Sequence, residues 1–207
     1  MKGLLPILVA LTVLGGVLAL IWVVRGREAS LLVAAPGMTI KEIVERSTAR
    51  FEAPREDDER GRAQPEGPTR VLIYHPEHGF EVPAGRFTIV DTSKGIAWMV
   101  TATPQLDYLG AEETIALLRR IHDAISAANW EWEEVPNYDV LAQELPKHTG
   151  RVLLGRWRLG SWEANLTVSQ ALEVSSEEAR IAGMPGGGFL TTLTVYDEAL
   201  DRTLRGW

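Results

Sequence analysis

The chain has 207 residues and a formal net charge of −7, with 45% hydrophobic and 24% charged residues. This acidic balance argues against a nucleic-acid partner, because phosphate binding requires a basic face. With no cysteine in the chain, disulfides, thiol nucleophiles and thiolate metal sites are excluded.

In chain order, residues 1–3 form a short basic head carrying Lys2. Residues 4–24 follow without a charge, Thr12 being the only hydroxyl. At about 1.5 Å per residue this run makes a helix about 30 Å long, the thickness of a bilayer's hydrocarbon core. Arg25, Arg27 and Trp22 sit where an interface would lie. Signal-peptide cores run about 7–15 residues, and cleavage after Ala29 or Ala35 would place Arg27 or Pro36 badly. The expectation is therefore a retained signal anchor, amino terminus inside and the following domain periplasmic or extracytoplasmic. Gly15, Gly16 and Ala19 provide a small-residue spacing through which two such helices could pair as a homodimer. The same residues are common in solitary anchors.

Residues 25–52 read as a juxtamembrane segment. The apolar patch at 29–35 is too short to span and is expected to pack at the interface or on the domain. Pro36-Gly37 punctuates it. Thr39 with Glu42 has capping-box spacing, and Ile40, Ile43 and Val44 share a face, which predicts a short helix over about 40–50. Pro36-Gly37-Met38-Thr39 followed by Glu42-Ile43-Val44 resembles the opening helix of the small envelope lipoproteins of the SmpA/BamE kind. The resemblance covers about ten residues and implies a non-enzymatic envelope accessory domain, two helices on a small antiparallel sheet. The chain departs from that family in lacking the lipidated cysteine.

Residues 53–68 hold two apolar residues, Ala53 and Ala63, among charges, Pro and Gly. They are expected to be a disordered acidic linker or loop. The α+β domain is then assigned to 69–207. Alternation predicts strands at 71–74, 86–91 and 96–101, with a turn at 91–95 that suits Gly95 to a left-handed position. Leu117, Leu118, Ile121, Ala124, Ile125 and Ala128 form one stripe of a helix over 111–129. Trp130 and Trp132 alternate with Glu131 and Glu133 in a connector to Pro136. A shorter helix is predicted at 138–145. Strands at 151–159 and 162–168 form a hairpin around Gly160, and a last strand covers 189–196. The expected class is α+β, an antiparallel sheet in βββ-α-α-βββ order packed on one or two helices, preceded by a single transmembrane helix.

Three constellations bear on chemistry. His75-Pro76-Glu77-His78 offers two imidazoles and a carboxylate, the basis for a metal-dependent hydrolase. The histidines are three apart, and Pro76 forces a turn, so a hairpin tip is the better reading. The glycines at 183–188 are followed by a strand and lack the Lys-Ser/Thr sequel of a phosphate loop. His122 stands beside Asp123 and a turn from Arg119, without a nucleophile motif. No catalytic, cofactor or metal residue is assigned.

The remaining reading is a non-catalytic, membrane-anchored accessory or scaffold protein of the cell envelope that touches protein partners. Trp130, Trp132 and Trp207 are the candidate contacts, since exposed aromatics mark interfaces. The alternative is a tethered domain that binds a small ligand or lipid between sheet and helices.

Overall fold

The computed structural model describes residues 29–134, 137–147, 150–170 and 188–205. The proposed anchor at 4–24, with Gly15, Gly16 and Ala19, lies outside these residues, as does Trp207. Among the described residues no helix is long and apolar enough to cross a membrane. The longest spans 17 residues, Ala111–Ala127, and carries Glu112, Glu113, Arg119 and Arg120, which about 25 Å of hydrocarbon would not tolerate. Nothing among the described residues therefore carries the single-pass architecture, the membrane as a partner or the extracytoplasmic placement built on it, and these expectations are withdrawn.

The patch at 29–35 is a strand, β1 (Ser30–Ala34), with Leu32, Val33 and Ala34 buried. It pairs in parallel with β3 (Thr69–Ile73), Leu32 opposite Val71, and β3 pairs antiparallel with β4 (Phe80–Gly85). Helix α1 (Ile40–Arg46) starts at the expected capping box: the Glu42 amide donates to Thr39 Oγ1 at 3.3 Å, and the Thr39 amide donates to Glu42 Oε2 at 2.8 Å. The helix stops at Arg46 rather than near residue 50, because the next residues bond β1 instead. The Val33 amide donates to Ser47 Oγ and the Leu31 amide to Thr48 Oγ1, both at 2.9 Å, while the Thr48 and Ala49 amides donate to Leu31 O. This strap closes the free edge of a hydrophobic strand.

The segment 53–68, expected to be disordered, belongs to the fold. It contains β2 (Gly61–Ala63), which pairs with β5 (Phe87–Ser93), Ala63 opposite Val90 and fully buried. Phe51 bridges Pro65, and the Lys94 amide donates to Asp58 O at 2.8 Å. Backbone pairing supplies here the order that apolar content alone would not.

A second, seven-stranded sheet runs β2-β5-β6-β10-β9-β8-β7, antiparallel throughout. Its remaining members are β6 (Ile96–Thr103), β7 (Glu131–Glu134), β8 (Arg151–Leu159), β9 (Trp162–Gln170) and β10 (Phe189–Asp197). Ser93 faces Ile96 across a two-residue turn whose Lys94 and Gly95 have φ of 49° and 72°, the primed geometry that matches strand twist. Helix α2 (Ala111–Ala127) buries Ile115, Leu118, Ile121 and Ile125 against β4 and β10. Helix α3 (Tyr138–Glu144) is capped by Asn137, and α4 (Glu198–Arg205) follows β10.

The small sheet meets the large one through β3–β5 and β4–β6. At Gly85 the backbones come so close that a Cβ would lie 1.7 Å from Thr103 O, a contact only glycine permits. The single antiparallel sheet in βββ-α-α-βββ order is thus replaced by ten strands in two sheets, one with a parallel pair, and four α-helices among the described residues.

Candidate interaction surface

Burial alternates along the large sheet. On β10, Phe189, Thr191, Leu193 and Val195 are buried on the face toward α2, whereas Leu190, Thr192, Thr194 and Tyr196 are half-buried on the opposite face. The register carries one row of that second face across all seven strands: Arg62, Asp91, Met99, Tyr196, Glu163, Arg158, Glu131. A neighbouring row joins Ile89, Thr101, Thr194, Asn165 and Arg156.

At the centre of this face the Glu163 side chain is 8% exposed. Its carboxylate accepts from Tyr196 Oη at 2.6 Å and Asn165 Nδ2 at 2.8 Å. Arg158 Nη2 lies 3.4 Å and Arg156 Nε 3.5 Å away, and Glu133 closes the far side, 3.0 Å from Arg158 and 3.9 Å from Arg156. Burial pushes the Glu163 carboxyl upward. The Tyr196 and Asn165 hydrogen bonds, then the Arg156 charge and the Arg158 bond, outweigh it and hold the pKa below the usual carboxylate range. Tyr196 is pushed up to about 12, by burial first and by its bond to anionic Glu163 second. At neutral pH Glu163 has no proton to give, and Tyr196 keeps its own. The cluster balances two carboxylates against two guanidinium groups and is built to hold a surface shape.

Apolar side chains flank it. Phe87 and Leu153, 46% and 41% exposed, lie on this face by their pairing with Thr103 and Thr167.

The sheet ends at β7, which among the described residues pairs only with β8. There Trp132 is 64% exposed. Trp130, the other described candidate contact, is not a surface residue. It is 3% exposed, its Nε1 donates to His78 O at 2.9 Å, and its ring meets Phe80 edge-on at 5.5 Å. Trp130 and Trp132 share a strand parity, and what separates them is the β3–β4 loop, which covers the first and stops short of the second.

The histidines serve that packing. His75 Nδ1 accepts from the amides of Glu77 and His78, and His78 Nδ1 donates to Ala128 O at 3.0 Å. No group of three or more His, Asp or Glu that could hold a metal occurs among the described residues. His122 Nδ1 lies 3.0 Å from Tyr138 Oη and its ring stands edge-on to buried Trp157, tying α2 to α3 and the core. Tyr138 is pushed up to about 12, by burial first and by Asp123 second. The glycine run at 183–188 lies outside the described residues except for Gly188.

Sequence reading missed the Glu163 cluster. The alternation of Arg156, Arg158, Glu163 and Asn165 places them on one face, but their meeting with Tyr196 and Glu133 needs the register of four strands. No protein-family model, no curated protein and no solved structure matches the chain. The likeness of residues 36–44 to the SmpA/BamE kind therefore rests on those residues alone.

Proposed function

We propose that the chain is a non-catalytic interaction module that holds a protein partner at the β7 end of its large sheet. The observation that carries this reading is Trp132, 64% exposed on a terminal strand among charged neighbours. An aromatic held at a sheet margin offers a partner a large apolar area at low entropic cost, and such residues dominate binding energy where they are buried. By its pairing with buried Trp157, Trp132 stands on the core-side face where the sheet runs out, and Glu131 and Glu133 on either side of it turn to the Glu163 face.

Co-purification of tagged full chain from its own cells, quantified against Trp132→Ala, tests the reading. A neighbour depleted at least about tenfold in the variant, at unchanged thermal stability, is the expected result for an aromatic anchor. An identical set of co-purifying proteins would overturn it.

A further inference from the structure

Between β2, β5 and β6, away from the β7 edge, lies a cleft of about 700 Å³, within the range of small-molecule sites. We infer that it binds a small monocarboxylate with an apolar body, a property independent of the partner-binding reading. The strand pairing builds its wall. Asp91 faces Met99 and Thr92 faces Ala97, so Trp98 is the extra residue of a β-bulge. A regular strand would send Trp98 and Met99 to opposite faces, yet both line the cleft. Bulges re-aim side chains in this way and are frequent beside binding sites.

The wall holds two guanidinium groups and three carboxylates, but among its unpaired groups donors outnumber acceptors. Arg62 and Asp91 satisfy each other, Nε to Oδ1 at 2.9 Å. Arg60 makes no ion pair or hydrogen bond among the described residues, and the same holds for the Ser93 hydroxyl and the Trp98 indole N–H. The Thr92 hydroxyl is buried without a partner. The Thr92 oxygen is sealed against Gly61, so a guanidinium, the Ser93 hydroxyl and an indole N–H are left to meet an oxygen acceptor, and the unpaired guanidinium favours an anion. Glu59 and Asp201 also stand in the wall, and Asp201 is already engaged. Their charges repel a dianion such as phosphate more than a single carboxylate. Trp98 and Met99 supply the apolar surface for the ligand's body, through ring stacking and thioether contact. A carboxylate forked on Arg60, with its apolar part against Trp98 and Met99, answers the unpaired donors and the apolar wall, and it limits the charge set against Glu59 and Asp201 to a single unit.

Saturation-transfer NMR on the full chain, with phenylacetate, its neutral amide and inorganic phosphate as probes, tests this. Phenylacetate is expected to bind, the amide about tenfold more weakly, matching one charge-assisted pair. Arg60→Gln should reduce phenylacetate binding by about the same factor, Arg60→Lys less, and Trp98→Phe should preserve it. Arg60 is exposed, so its variants are expected to fold, and circular dichroism checks that they do. Equal binding of acid and amide, phosphate binding tighter than phenylacetate, indifference to Arg60→Gln, or no saturation transfer to any probe would each overturn the assignment.

Discussion

The two sheets treat their outer edges in opposite ways. On the small sheet, β1 is hydrophobic, and residues 47–49 bond along it as a strap, leaving Leu32 fully buried. On the large sheet, β7 reads Glu-Trp-Glu-Glu, has no strap among the described residues, and leaves Trp132 in water. An apolar edge would recruit other chains indiscriminately and has to be covered. A short, acidic and bulged edge resists strand addition by itself and can be left open. The register shift between Trp132 and Glu134 supplies that bulge. What β7 presents is thus one large side chain in a charged frame, a surface suited to selective contact.

Four substitutions probe this contrast. Leu32→Ala on the strapped side should cost about 2–5 kcal/mol, the range for a fully buried leucine, seen as a large drop in melting temperature. Glu163→Gln should cost about 1–3 kcal/mol by weakening charge-assisted bonds to half-exposed arginines. It also carries a pH signature. Because the folded Glu163 pKa is depressed, its stabilisation is present above the ordinary carboxylate range and is lost as pH falls through that range toward the folded value. The variant's melting temperature should fall less than the wild type's over that window. Ser47→Ala should cost about 1 kcal/mol and, by loosening the strap, should raise aggregation on light scattering. Trp132→Ala should change stability by less than about 0.5 kcal/mol, since it removes a surface residue. A large destabilisation there would mean the indole belongs to the core and would erase the difference between the edges.

What was readable in the sequence was local. The Thr39–Glu42 box, the Lys94–Gly95 turn, the α2 stripe and the β8–β9 hairpin each depend on residues within one or two turns of each other. What escaped was long-range. β1 reads as a stray apolar patch until its partner, β3, is known. β2 is three residues inside a charged, proline-punctuated run, and β4 contains Pro83, which argues against a strand except at an edge. Trp130 and Trp132 are equivalent in any sequence pattern, and only the docking of His78 and Phe80 over the first tells them apart. The Glu163 hub was half visible, its arginines and asparagine in phase, with Tyr196 and Glu133 arriving from other strands.

The most direct measurement places a photo-crosslinking amino acid at position 132 of the full chain in living cells, with position 130 as the buried control. The account predicts a discrete adduct from 132 and none from 130. No adduct from 132, or the same adduct from both positions, would contradict it.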